Sequence, residues 1–192
     1  LTATLGGRYY KYDNSLFGFY GLKSGERRCL PGQHGHIDGL PIVNGQPCVR
    51  LDKTVDGTGF LPKVNLTWNF SDTGLVYATY SEGYRPGGVN RNGNLPPYEA
   101  DYLKNYEIGW KTSWFDNKLR FNGALFYEQW NDFQLSFLGQ NSLTVIQNAG
   151  NASVTGIEAD VSWAVTTGLT VNGSATYLDA KLTSDYCAYS NP

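Results

Sequence analysis

The stretch that decides the fold reads Asn105-Tyr106-Glu107-Ile108-Gly109-Trp110-Lys111-Thr112-Ser113-Trp114, then Phe115-Asp116-Asn117-Lys118, then Leu119-Arg120-Phe121-Asn122-Gly123-Ala124-Leu125-Phe126-Tyr127-Glu128. Two ten-residue runs alternate apolar and polar with a period of two, the signature of a half-buried β-strand. Between them lie four residues rich in turn formers. A four-residue turn sets Trp114 against Leu119, Trp110 against Gly123, Ile108 against Leu125 and Tyr106 against Tyr127. Ser113–Arg120, Lys111–Asn122 and Glu107–Phe126 fall on the other face. One register keeps both strands apolar on the same side, as pairing requires, and lays the Trp110 ring over Gly123, the cover often given to a strand glycine.

The same period runs outward in both directions. It marks Leu1 to Tyr10, Lys63 to Phe70, Leu75 to Glu82, Ile157 to Ala164 and Leu169 to Tyr177, so seven strands are expected and no amphipathic helix. In the hairpin around Ser71-Asp72-Thr73-Gly74, a four-residue turn would put Leu75, Tyr77 and Thr79 on the apolar face. Apolarity favours Val76, Ala78 and Tyr80, which needs a longer turn or a bulge.

The connections alternate short and long. Ser71–Gly74, Phe115–Lys118 and Thr166–Gly168 are tight, whereas 14–59, 83–100, 136–151 and 183 onward are long and polar. An up-and-down barrel in an outer membrane has this asymmetry, with short turns on one side and long loops outside. The aromatics add a second sign. Trp68, Trp114 and Trp163 lie near the short turns, and Tyr106, Tyr127 and Tyr177 about eight residues away, all on the apolar face. Eight residues span ~26 Å, or ~20 Å when tilted, close to the height of an apolar band between two aromatic girdles.

Composition agrees. The 192 residues are 15% aromatic and 17% charged, with 23 glycines and a net charge of −2. No apolar run is long enough for a transmembrane helix, the apolar content is too high for disorder, and the charge gives no nucleic-acid footprint. Single-chain bacterial barrels use an even number of strands from eight upward. Seven strands left open would present two unpaired edges, so an arc of a larger wall is expected. The rival is a secreted β-sandwich, a ligand- or carbohydrate-binding module with the apolar faces as its core.

The span 60–181 carries an ordered set of motifs: Leu61-Pro62-Lys63-Val64-Asn65-Leu66; Tyr77-Ala78-Thr79-Tyr80-Ser81-Glu82-Gly83-Tyr84-Arg85-Pro86-Gly87-Gly88; Leu103-Lys104-Asn105-Tyr106-Glu107-Ile108-Gly109-Trp110-Lys111; Leu119 to Tyr127; Asn148-Ala149-Gly150 to Gly156-Ile157-Glu158; and Tyr177-Leu178-Asp179-Ala180-Lys181. In that order and spacing it resembles the C-terminal half of the barrel of TonB-dependent outer-membrane receptors. Residues 1–59 resemble the family more loosely, as one strand and the long external loop 14–59. The resemblance implies an all-β, antiparallel 22-stranded barrel in the bacterial outer membrane, filled by a plug that has no counterpart in 1–192. It also implies uptake of a scarce nutrient such as a ferric siderophore, powered through the TonB complex by way of the plug. The expected partners are therefore outer-membrane lipid, a small-molecule nutrient and TonB.

Several residues are candidates for specific roles. Glu107, Lys111, Arg120, Glu128, Glu158 and Asp160 alternate onto the lumenal face, either as a solvated wall or as the surface that meets plug and solute. Tyr84, Arg85, Asn90 and Arg91 open an external loop, where a rigid ring and a guanidinium fork suit recognition of anionic groups. Pro86-Gly87-Gly88 alternatively makes that stretch a turn. Cys29 and Cys48 are a disulfide candidate that would stabilise the long loop by about 3 kcal/mol, leaving Cys187 to pair beyond the chain or displace one of them. His34-Gly35-His36 has no completing cluster, so no metal or cofactor is expected. No phosphate loop, nucleophile elbow, zinc signature or triad is present, and no catalytic residue is assigned.

Overall fold

A computed structural model describes residues 1–18, 42–43, 46–47, 51–92, 95–139 and 143–184, without the side chains of 42–43 and 46–47. Cys29, Cys48, Cys187, His34 and His36 lie outside the described residues.

Seven long strands form one antiparallel sheet: β1 (Thr2–Gly18), β4 (Leu51–Ser71), β5 (Gly74–Arg85), β6 (Asp101–Trp114), β7 (Leu119–Asn131), β10 (Ala152–Thr166) and β11 (Leu169–Leu182). They pair in the order β1-β4-β5-β6-β7-β10-β11, an up-and-down course. Two short hairpins stand apart, β2 (Ile42–Val43) with β3 (Gln46–Pro47), and β8 (Gln134–Leu138) with β9 (Thr144–Asn148). Among the described residues β1 and β11 are edges, so the sheet does not close on itself.

The β6–β7 ladder has the expected register, with Trp114 opposite Leu119, Trp110 opposite Gly123 and Tyr106 opposite Tyr127. The indole of Trp110 occupies the space a side chain at position 123 would need. The β4–β5 hairpin takes the bulged alternative. Ser71 pairs with Gly74, the register then shifts, and Trp68, Leu66 and Val64 face Val76, Ala78 and Tyr80. One extra residue in one strand is what a bulge supplies, and here it keeps both strands apolar on one side. The other face gains Tyr77, whose ring lies on Gly109 and whose hydroxyl donates to Glu107 Oε1 at 2.6 Å.

Two expectations about length need correction. β1 continues to Gly18 and β4 begins at Leu51, so both flanks of the 14–59 loop are strand. The paired segments 10–18 and 51–59 are rich in glycine, tyrosine and charge, and backbone pairing needs no apolar face. Likewise 136–151 is largely the β8–β9 hairpin. Above the Lys63–Ser81 pair, β4 leaves β5 and continues only with β1, as a two-stranded arm.

Apolar burial is concentrated at the end of the sheet opposite the short turns, where Leu51, Ala100, Leu143, Val145 and Ala149 are all buried. The apolar face of the strands is by contrast bare: Ile108 is 62% exposed, Trp114 55% and Trp163 48%. A β-sandwich would cover these rings with a second sheet, and no second sheet packs there among the described residues. A groove of about 570 Å³ on that face, lined by Val64, Leu66, Ala78, Ile108 and Leu125 with tyrosines 80, 106 and 127 at its rim, is almost wholly apolar.

Candidate functional site

The outer end is built on the last residues of β5, the first of β6 and the strands that follow. The β5–β6 ladder runs unbroken to Arg85 opposite Asp101. Asp101 is 1% exposed, yet ionic. Burying a charge is tolerated only when it is paired and hydrogen-bonded, and its carboxylate is filled from several sides. The Arg85 guanidinium forks onto it, with Nε at 3.0 and 2.9 Å from Oδ1 and Oδ2 and Nη2 also on Oδ2. The Arg85 backbone N–H donates to Oδ1 at 3.2 Å, and the Gln134 backbone N–H to Oδ2 at 3.0 Å. The carboxylate holds the Arg85 pKa above its ordinary value, against the opposing effect of burial. The guanidinium also lies 4.8 Å from the Trp130 ring centre and 5.5 Å from that of Phe133, within cation–π range.

Further bonds join the connection 86–100 to the β8–β9 hairpin. Arg85 Nη2 donates to Gln134 O at 3.1 Å, and Gln134 Nε2 donates to the carbonyls of Pro86 and Glu99 at 3.0 and 2.9 Å. Asn90 is 4% exposed. Its amide pairs with the Ile146 backbone in both directions, giving at 2.9 Å and accepting at 2.8 Å, as an added strand would. Asn148 makes the same two-way pairing with Glu99, at 3.0 and 2.8 Å. On the opposite flank the β1–β4 arm leans in: Asn14 Nδ2 donates to Gly87 O at 2.7 Å and Lys53 Nζ to Leu95 O. Burial pushes the Lys53 ammonium pKa down. Tyr10 stacks on Tyr84 with ring centres 3.6 Å apart, and its hydroxyl meets that of Tyr102 at 3.1 Å.

The four loop candidates thus have different surroundings. Tyr84 belongs to the tyrosine stack with Tyr10, Tyr12 and Tyr102. Arg85, at the end of β5, is held by Asp101 at the start of β6, and Asn90 by Ile146 in β9. Arg91 is exposed. The residues that sequence reading passed over are Asp101, Gln134 and Asn148.

The polar face of the sheet is separate from this end. Its register places Glu107, Lys111, Arg120, Glu128, Glu158 and Asp160 together, opposite the face that carries Trp68, Trp114, Trp163, Tyr106, Tyr127 and Tyr177. A polar hollow of about 390 Å³ there is lined by Tyr77, Lys111, Asn122, Glu158 and Asp160. Asn122 donates to Asp160 at 3.0 Å. Tyr106 and Tyr127 stack on the apolar face, 6.4 Å apart.

An up-and-down sheet, open among the described residues, with one bare apolar face and one polar face is the geometry of a barrel wall. The family model described as "TonB dependent receptor-like, beta-barrel" matches residues 1–191. The chain belongs to the TonB-dependent receptor family.

Members of this family are outer-membrane β-barrels. Among curated relatives, the pesticin receptor of Yersinia pestis is 27% identical over 129 residues, which are 65% of this chain and 19% of that protein. A probable TonB-dependent siderophore receptor of Acinetobacter baumannii, PiuA, is 24% identical over 132 residues, 64% of this chain and 17% of its own length. The chain therefore spans under a fifth of the length of these two relatives. Among solved structures, the ferric yersiniabactin uptake receptor FyuA of Yersinia pestis superposes with a TM-score of 0.60 at 24% identity, over 74% of this chain and 22% of that one. The FrpB iron transporter of Neisseria meningitidis gives 0.56 at 19% identity, over 70% of this chain and 22% of that one. At these identities the structures speak for the fold alone.

Proposed function

We propose that this chain forms part of the wall and outer rim of a receptor that imports a ferric siderophore, with TonB supplying the energy through a plug. The observation that carries the reading is the family match over 1–191, joined to relatives named as siderophore or ferric-complex receptors. The polar face, with Glu107, Lys111, Arg120, Glu128, Glu158 and Asp160, lines the lumen, and the apolar face meets lipid between tyrosine and tryptophan girdles. Solute is met first at the outer end, where the 86–100 connection, the β8–β9 hairpin and the β1–β4 arm converge.

The test is genetic. Deleting the gene that encodes this chain should abolish growth under iron limitation on one class among ferric hydroxamates, catecholates and phenolates, while growth on excess inorganic iron is unchanged. Loss on cobalamin or a glycan, with iron-dependent growth intact, would contradict the proposed solute class.

A further inference from the structure

We infer that Asp101 is a positioning residue for solute capture: it locks the 86–100 connection to the β8–β9 hairpin, so that the two present themselves to solute as one rigid body. The inference rests on the proposed uptake function for its consequence, and on geometry for the lock itself.

The two connections are cross-linked along their length, beside the Gln134 side-chain bonds to Pro86 and Glu99. At the base, the Asp101 carboxylate takes donors from Arg85, before the first connection, and from the Gln134 backbone, at the start of the hairpin. In the middle, Asn148 pairs in both directions with Glu99. Furthest out, buried Asn90 pairs in both directions with Ile146. None of these bonds belongs to the ladders between β5, β6, β7 and β10, which hold the wall without them. Their effect therefore falls on the connections. Long segments free of such links sample many conformations, and ordering them on a solute costs affinity. Cross-linked in advance, they have already met that cost.

Asp101 is the element on which the arrangement turns. Its carboxylate is fully buried, and its partners include the one guanidinium that also reaches Gln134 O and the rings of Trp130 and Phe133. A buried carboxylate cannot touch a solute arriving from outside, so any effect it has on capture acts through the loops it holds.

The experiment is Asp101→Asn in the receptor that carries this chain, read by amide hydrogen exchange and by growth. The amides of residues 87–92, 95, 98–100, 134–138 and 144–148 should exchange at least ~10-fold faster, and by similar factors, while β6 and β7 amides keep their protection. Asn90→Ala should also accelerate both connections. Acceleration of one connection alone, or of neither, would overturn the lock. Should Asp101→Asn loosen the strands as well, Gln134→Ala decides the matter, because it removes only the side-chain bonds to Pro86 and Glu99; joint acceleration supports the lock and separate acceleration refutes it.

Growth of a receptor-deficient strain carrying Asp101→Asn is then titrated with ferric hydroxamate, catecholate and phenolate complexes. On whichever complex the parent uses, the variant should need at least ~10-fold more for half-maximal growth and reach the same maximum. An unchanged half-maximal dose despite loosened loops would overturn the role in capture. Failure of the parent on all three complexes would instead count against the proposed solute class, and the exchange result would still decide the lock.

Discussion

Ala159→Arg should sharply lower the amount of folded receptor in the outer membrane, while Thr176→Arg should leave it near the parent level. The two positions are at almost the same depth. Ala159 pairs with Ala175, and the next rung sets Glu158 against Thr176. They differ in the face they occupy. Ala159 shares its row with Gly123 and Trp110, midway between the levels of the tyrosines and tryptophans on the apolar side. An arginine facing lipid at midplane costs about 2–4 kcal/mol. Thr176 stands on the polar face beside the Glu158 carboxylate, where an arginine finds water and a counter-charge. The heat-modifiable gel mobility of the folded barrel, measured on outer-membrane fractions, reads both variants. Equal loss for the two would show that the faces are not distinguished by lipid.

Arg85→Ala should have the second large effect, confined to the outer end. Arg85 is 45% exposed and only Asp101 is buried, so removing the guanidinium leaves the buried carboxylate short of its main donor at a cost of about 1–3 kcal/mol. Asp101 would keep its two backbone donors but lose the fork, and Trp130 and Phe133 would lose the cation between them and the carboxylate. Where proteolysis follows local opening, a loss of this size raises cleavage by about 10-fold or more. Protease added to whole cells should therefore cut within 86–100 far faster in the variant, with the strands intact. Adding Asp101→Asn to Arg85→Ala should restore part of the resistance, since an unpaired amide is cheaper to bury than an unpaired carboxylate. Cleavage at the parent rate would mean the pair does not hold the loops.

The wall was legible because a sheet with one apolar and one polar face imposes a strict alternation along every strand. That alternation placed Trp110 on Gly123 and called for a longer turn or a bulge near Ser71, and the ring contact and the bulge are present. It lost its force where the strands leave the membrane. Segments such as Lys53-Thr54-Val55-Asp56-Gly57-Thr58 pair in the β1–β4 ladder without an apolar alternation, so the period of two does not reach the start of β4.

The rim was harder for a different reason. Arg85 and Asp101 lie 16 residues apart in sequence, yet one register links them: the ladder that sets Tyr80 against Tyr106, continued upward, sets Arg85 against Asp101. Matching Val76, Ala78 and Tyr80 to the apolar face of β6 would have found that pair. Gln134, Asn90 and Asn148 left no such trace. They bond to backbone carbonyls and amides of distant segments, groups that sequence patterns do not advertise.

The central claim is that the apolar face of this sheet meets lipid and the polar face does not. Spin labels placed singly from 156 to 163 along β10, in the receptor that carries this chain reconstituted into a bilayer, test it most directly. Collisional access to oxygen dissolved in the lipid should be high at 157, 159, 161 and 163 and low at 156, 158, 160 and 162. A profile without that two-residue period, or with its maxima at Glu158 and Asp160, would contradict the account.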